Sequence, residues 1–195
     1  MNEETVLKKT ASTTKSSSLA PVASEQPGSW HLARTETERR LSDFEFGLER
    51  LAQAYYRWKA ACLSAVCDVP LTGDDVAVLN VVRMGDEPKR LSEIGQLLNR
   101  VDVPNLQYAT RKLTRAGLIE SYGGSSRKET RYRATEAGQA VTEAYAALRA
   151  ATLPPMLEAL DGWAGKSEAT KLQLDLLSSL YAQAAQIAIT RRHQP

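Results

Sequence analysis

Ten basic residues fall between Lys89 and Arg133: Lys89, Arg90, Arg100, Arg111, Lys112, Arg115, Arg127, Lys128, Arg131 and Arg133. Only Glu93, Asp102, Glu120 and Glu129 oppose them, so the stretch carries +6 in a chain whose total is +2. A positive field concentrated on an otherwise mildly charged body is the electrostatic footprint of a nucleic-acid binder. Asn105 and Gln107 lie in the same stretch, and such amides can pair bidentately with adenine, as Arg111 can with guanine. The plain alternative is a solvated basic surface. Catalysis has little to work with. Histidines occur only at 31 and 193 and cysteines only at 62 and 67, which is too few for an ordinary zinc site and offers no nucleophile–base set. The expectation is a protein that is not an enzyme and needs no cofactor or metal.

The elements that must position these residues are legible from apolar spacing. Leu91–Arg100 reads as a short helix with Ile94, Leu97 and Leu98 on one face. A turn over Val101–Pro104 follows, then a second helix, about 103–116, in which Leu106, Ala109, Thr110 and Leu113 recur at helical spacing. Two short helices joined so tightly make a helix-turn-helix. Gly117 stands where a helix stops. Leu118–Tyr122 and Thr130–Ala134 bracket Gly123-Gly124 and a polar tip, the pattern of a β-hairpin. A helix-turn-helix with that hairpin appended is a winged helix.

The inward set leaves Pro104, Asn105, Gln107, Tyr108, Arg111, Lys112 and Arg115 facing outward. Asn105, Gln107 and Tyr108, near the start of the helix, are placed to meet base edges in a major groove. Lys112 and Arg115 suit phosphates. Arg127 and Lys128, at the hairpin tip, suit the negative potential of a minor groove. Ser92 begins the first short helix, where its hydroxyl and the helix amides can donate to a phosphate. Alternation puts Arg131 and Arg133 on one strand face, where phosphate contact and plain solubility weigh equally.

The remaining chain falls into three parts around this lobe of 71–135. Residues 1–34, rich in Ser, Thr, Ala and Pro, bury too little apolar area to offset their ordering entropy and read as a flexible tail. Within 35–70, Leu41, Phe44, Leu48, Leu51, Tyr55, Trp58, Cys62 and Ala65 step by three and four through Thr35–Asp68. A helix of about 30 residues spans roughly 45 Å, more than a small lobe covers, so part of its seam is expected at a subunit interface. Cys62 and Cys67, five apart, cannot bridge while both are helical. Small buried core residues or a redox-sensing thiol are the two readings. Thr72 is the expected N-cap of an apolar helix carrying Val76, Val78, Leu79, Val81, Val82 and Met84, and Lys89-Arg90-Leu91 a very short strand pairing with the hairpin.

In 136–195, Thr135 caps a helix that Pro154-Pro155 must kink or break. A last helix, about Ser167–Thr190, carries Leu172, Leu176 and Leu180, with Leu174, Leu177 and Tyr181 on a second face. Two apolar faces suggest its own domain on one side and a partner subunit on the other. The fold class is mainly α with a small β-wing, the winged helix-turn-helix lobe flanked by long dimerisation helices. No run approaches about 18 uncharged apolar residues, so no membrane span is expected. The polar start is no secretory leader, and a cytoplasmic location is the default.

Several signatures resemble the MarR family of winged-helix transcription regulators. They are Leu91-Ser92-Glu93-Ile94-Gly95, Leu113-Thr114-Arg115-Ala116-Gly117-Leu118-Ile119, and Arg131-Tyr132-Arg133-Ala134-Thr135-Glu136-Ala137-Gly138. The family's Asp-Arg-Arg wing tip is Ser126-Arg127-Lys128 here, and Ala134 stands where Leu is usual. The resemblance implies a sequence-specific double-stranded-DNA-binding homodimer joined by its terminal helices. Leu41, Phe44, Leu48, Leu172, Leu176 and Leu180 are the candidate interface. It also implies a small-molecule effector, frequently aromatic, in a cleft that Tyr55, Tyr56, Trp58 and Tyr145 could line. A stripe of aromatics on long helices is more often core or interface. The competing reading is a winged-helix adaptor that binds protein and not DNA.

Overall fold

The computed structural model describes residues 31–123, 129–160 and 162–191. The wing-tip candidates Arg127 and Lys128 and residues 1–30 of the expected tail lie outside these. The chain divides into two units, Met1–Leu48 and Glu49–Pro195, at a point inside the first helix, α1 (Glu36–Ser64).

In the first unit α1 starts at a reciprocal cap. Glu38 donates its amide to the Thr35 hydroxyl at 3.2 Å, and the Glu38 carboxylate accepts from the Thr35 amide at 2.8 Å. Arg39 bridges Glu36 at 2.7 Å and Asp43 at 3.0 Å. These exposed pairs contribute little each. Leu41, Phe44 and Leu48 are all exposed.

The second unit holds the core. After α1 come α2 (Gly73–Arg83), a 3-10 turn at Met84–Asp86, β1 (Lys89–Arg90), α3 (Leu91–Leu97), α4 (Val103–Arg115), β2 (Ile119–Tyr122), β3 (Arg131–Ala134), α5 (Glu136–Glu158) and α6 (Trp163–Arg191). The sheet order is β1-β3-β2, all antiparallel, with Lys89 opposite Tyr132 and Ile119 opposite Ala134. The very short strand before α3 therefore pairs with the wing as its position suggests. Thr72 caps α2: its hydroxyl accepts from the Asp75 amide at 3.3 Å, while the Asp75 carboxylate accepts from the Thr72 amide at 2.8 Å. Val76, Val78, Leu79 and Val82 of α2 are buried, with Leu63, Ile94, Leu106, Leu113 and Ile119 around them. Each such side chain contributes about 1.5–3 kcal/mol through removal from water.

Two glycines set how the elements join. Gly117, at φ +70°, ends α4: its amide reaches Thr114 O and the next amide, of Leu118, reaches Leu113 O, both at 3.0 Å. That is the Schellman arrangement, which needs a left-handed residue. Gly138, in the first turn of α5, lies so close to strand β2's approach that a Cβ there would sit 1.9 Å from the Leu118 carbonyl oxygen. Thr135 completes the joint, accepting from the Gly138 amide at 3.1 Å and donating to Gly117 O at 2.6 Å.

Four expectations are corrected. α1 ends at Ser64, not Asp68; Pro70 holds Val69 out of helical geometry and the chain must turn before α2. Leu97 is half exposed, because the short α3 turns Ile94 and Gly95 inward and a Gly95 Cβ would already press on Leu106 of α4. Pro154-Pro155 do not break α5, which runs on to Glu158; they fall in its last turns, where few intrahelical amides remain to be lost. The last helix starts at Trp163, and none of its described residues is buried, Leu172, Leu176 and Leu180 all being exposed. Among the described residues no helix is long and apolar enough to cross a membrane.

Candidate nucleic-acid interface

Helix α4 buries Leu106, Ala109, Thr110 and Leu113, the four residues that its spacing turns inward. Thr110 meets its polar requirement inside the helix by donating to Leu106 O at 3.1 Å. Pro104 occupies the first turn, where a missing amide costs nothing. On the other side Pro104, Asn105, Tyr108, Arg111 and Arg115 are exposed, and Gln107 is half-buried. Val103, with no place among the sequence candidates, is exposed beside them. Ser92 is exposed at the second residue of α3.

Charge counting treats the cations of this stretch as equivalent, and their partners are not. Lys112 reaches across to α2 and pairs with Asp75 at 2.7 Å, the carboxylate side chain being 5% exposed. Arg133 pairs with Glu120 directly opposite it on β2 at 2.7 Å and covers the Tyr122 ring. Arg131 donates to Pro88 O at 3.2 Å, and Lys89 to the carbonyls of Glu87 and Met84. Arg111 and Arg115, by contrast, have no ion pair among the described residues. Both residues lie on the exposed face of α4.

Arg100 ties the turn to both helices. Its guanidinium takes the two Asp102 oxygens at 2.9 and 2.6 Å and lies 3.3 Å from Asp74 at the start of α2. Nη1 is buried and makes no hydrogen bond, so the Asp74 contact is purely electrostatic. Asn105 adds a bond to Asp102 at 3.0 Å. The paired Arg100 guanidinium, with Asn105 behind it, holds the Asp102 carboxyl well below the usual carboxylate range. Asp102 in turn raises Arg100. The amide side chain of Asn105 is thereby anchored at the helix start, and Asn99, at φ +52°, reaches Ser178 of α6 at 2.7 Å. Sequence reasoning missed this hub, although Arg100 and Asp102, two apart in a turn, were a visible signal.

A depressed carboxyl contributes stability that is present above its unfolded value, near 3.9, and is lost as pH falls through the folded one. The melting difference between wild type and Asp102→Asn is therefore expected to hold steady from neutral pH to about 5 and to shrink only below about 4. A difference already lost at pH 6 would remove Asp102 from this role.

Residues 71–138 match the family model of the winged helix DNA-binding domain. This lobe is a winged helix. No curated protein matches the chain. Several solved structures share the fold of this chain. AbfR of Staphylococcus epidermidis superposes at a TM-score of 0.59 with 17% identity, over 76% of this chain and 96% of that one. Reduced AbfR bound to DNA gives 0.59 and 18%, over 74% and 99%. The MarR family transcription regulator SP03579 gives 0.59 and 19%, over 77% and 95%.

Behind the winged helix a cavity of about 460 Å³ opens between the second half of α1, α2 and α5. Tyr55, Trp58 and Tyr145 of the four aromatic candidates line it, together with Lys59, Asn80 and Arg149. Tyr56 does not; its ring packs against Gly73, where a Cβ would stand 2.7 Å away. Burial pushes the phenols of Tyr56 and Tyr145 up. Cys62 is buried and Cys67 half-buried, both as free thiols. Among the described residues no group of His, Cys, Asp or Glu could hold a metal ion.

Proposed function

We propose that this protein is a transcription regulator that binds double-stranded DNA sequence-specifically as a homodimer. α4 enters the major groove and the wing, about 118–134, meets the minor groove. The observation that carries this reading is the division of labour on α4. One face is sealed by four buried residues, and the other holds Arg111 and Arg115, which have no ion pair among the described residues. Arg111 suits a guanine, Arg115 a phosphate, and Gln107 and Tyr108 the neighbouring base edges. Ser92 donates to a phosphate and Arg127 with Lys128 serves the minor groove. Lys112 contributes field more than contact, since Asp75 holds it.

Dimerisation has its support in uncovered apolar rows. Leu41, Phe44 and Leu48 in the first unit, and Leu172, Leu176 and Leu180 on α6, are exposed. Rows of that length are rarely left to water. Two lobes related by a two-fold axis would read half-sites about one helical turn apart. The cavity lined by Tyr55, Trp58 and Tyr145 serves a small aromatic effector.

The test is a gel-shift series against genomic fragments, repeated over salt, beside sedimentation of the free protein. Expected are a dimer and a steep loss of affinity with salt. A monomer indifferent to duplex DNA at low salt would overturn the reading. Gln107→Ala is expected to relax preference at one base position, at a cost of about 1–3 kcal/mol. Uniform weakening across sequences would make Gln107 a positioning residue.

A further inference from the structure

We infer that Val101 and Val103 form an apolar reading edge for thymine, meeting its 5-methyl group in the major groove that α4 enters. The inference rests on the DNA-binding reading and assigns base discrimination to two residues that carry neither charge nor a polar side chain.

Val101 is 93% exposed, more than any other large hydrophobic side chain among the described residues, and Val103 is 49% exposed. Single apolar residues scattered on a surface need no explanation. These two are held together by a defined turn. Asp102 between them has φ −81° and ψ 70°, and the Val103 amide donates to Val101 O at 3.0 Å. That is an inverse γ-turn, which draws the residues on either side of it close. The turn is braced as well. The Asp102 carboxylate accepts from Arg100 at 2.9 and 2.6 Å and from Asn105 at 3.0 Å. A free carboxylate at this place would repel phosphates; the Arg100 guanidinium offsets its charge. The two valines are therefore presented in one geometry, and little ordering entropy opposes their docking.

What the edge meets follows from its neighbours. Val103 is the first residue of α4, and the start of a recognition helix lies among the base edges. Pro104, Tyr108, Arg111 and Arg115, spaced by four, three and four, continue the exposed face along the helix. The two arginines favour a polyanion, yet a valine side chain has nothing to offer a phosphate. A base edge is different. Thymine presents a methyl group in the major groove, and apolar side chains read it. Cytosine has a hydrogen at that carbon and an amino donor beside it, which two valines cannot satisfy.

The test compares thymine with uracil, which lacks only the 5-methyl group. The full-length protein first selects binders from a random double-stranded pool, and the selected duplex is then synthesised in both forms. The wild type is expected to bind the uracil duplex more weakly, by about fourfold for each methyl removed from the contact. The double variant Val101→Ala, Val103→Ala is expected to bind the thymine duplex weakly to a similar degree and to distinguish the two forms little. Both residues are exposed, so its melting is expected to follow the wild type. Should it fold poorly, Val101→Ala alone carries the comparison. Uracil placed at one thymine at a time is expected to confine the loss to a few positions in each half-site. Equal wild-type affinity for both forms would leave the valines to a protein contact and overturn the proposal. A uracil penalty that the variant keeps in full, or one spread evenly over all thymines, overturns it too. If selection yields no duplex at all, the regulator reading itself falls, so the two failures are told apart.

Discussion

Gly138→Ala is expected to lower the stability of the winged helix by about 3 kcal/mol or more, at the upper end of what overpacking costs. The new methyl would meet the Leu118 carbonyl oxygen at 1.9 Å. That neighbour is backbone, and it is already held: Leu118 O accepts the Thr135 amide at 3.1 Å. Neither partner can swing aside as a side-chain tip could. Relief requires the first turn of α5 to lift off, which breaks the Thr135 cap and its bond to Gly117 O. Gly165→Ala is the matched control. It sits inside α6 with nothing within 4 Å of its added carbon. There alanine is expected to stabilise by up to about 1 kcal/mol, through helix propensity alone. Urea denaturation of the two variants reads both signs at once, and a wild-type midpoint for Gly138→Ala would refute the close approach.

Arg111→Glu is the second large effect, and it falls on binding. The residue is exposed and unpaired among the described residues, so stability is expected to stay within about 0.5 kcal/mol of wild type. Loss of a bidentate guanine contact costs about 1–3 kcal/mol, and the reversed charge adds repulsion from phosphates. An affinity loss of about 100-fold is expected, with a shallower salt slope. Lys112→Met provides the contrast. It would leave Asp75 buried without its ammonium, so destabilisation is expected to dominate over any change in DNA affinity. Unchanged operator affinity in Arg111→Glu at fixed salt would remove α4 from the groove.

These two arginine-and-lysine variants also mark how far the sequence reaches. The inward set of α4, the caps at Thr72 and Thr135, the stop at Gly117 and the pairing of Lys89 with the wing all follow from local patterns. Each depends on a residue's own helical phase or on neighbours within a few positions. Spacing alone therefore separates Leu113 from Arg111. It cannot separate Lys112 from Arg115, because the partner that claims Lys112 lies 37 positions away and meets it only where α2 crosses α4. Leu97 fails in the same way: helical phase made it a core candidate, and the orientation of a seven-residue helix turned it to water.

Sequence by itself determined the order of elements, the winged-helix pattern and the sign of the field, since periodicity, capping and charge are properties of the chain. Tertiary structure alone decided which cations remain unpaired among the described residues, why residue 138 must be glycine, and that Lys59 is buried against the Tyr55 and Tyr56 rings. Those depend on distances between segments remote in sequence, fixed only when α1, α2 and α5 pack around a common core.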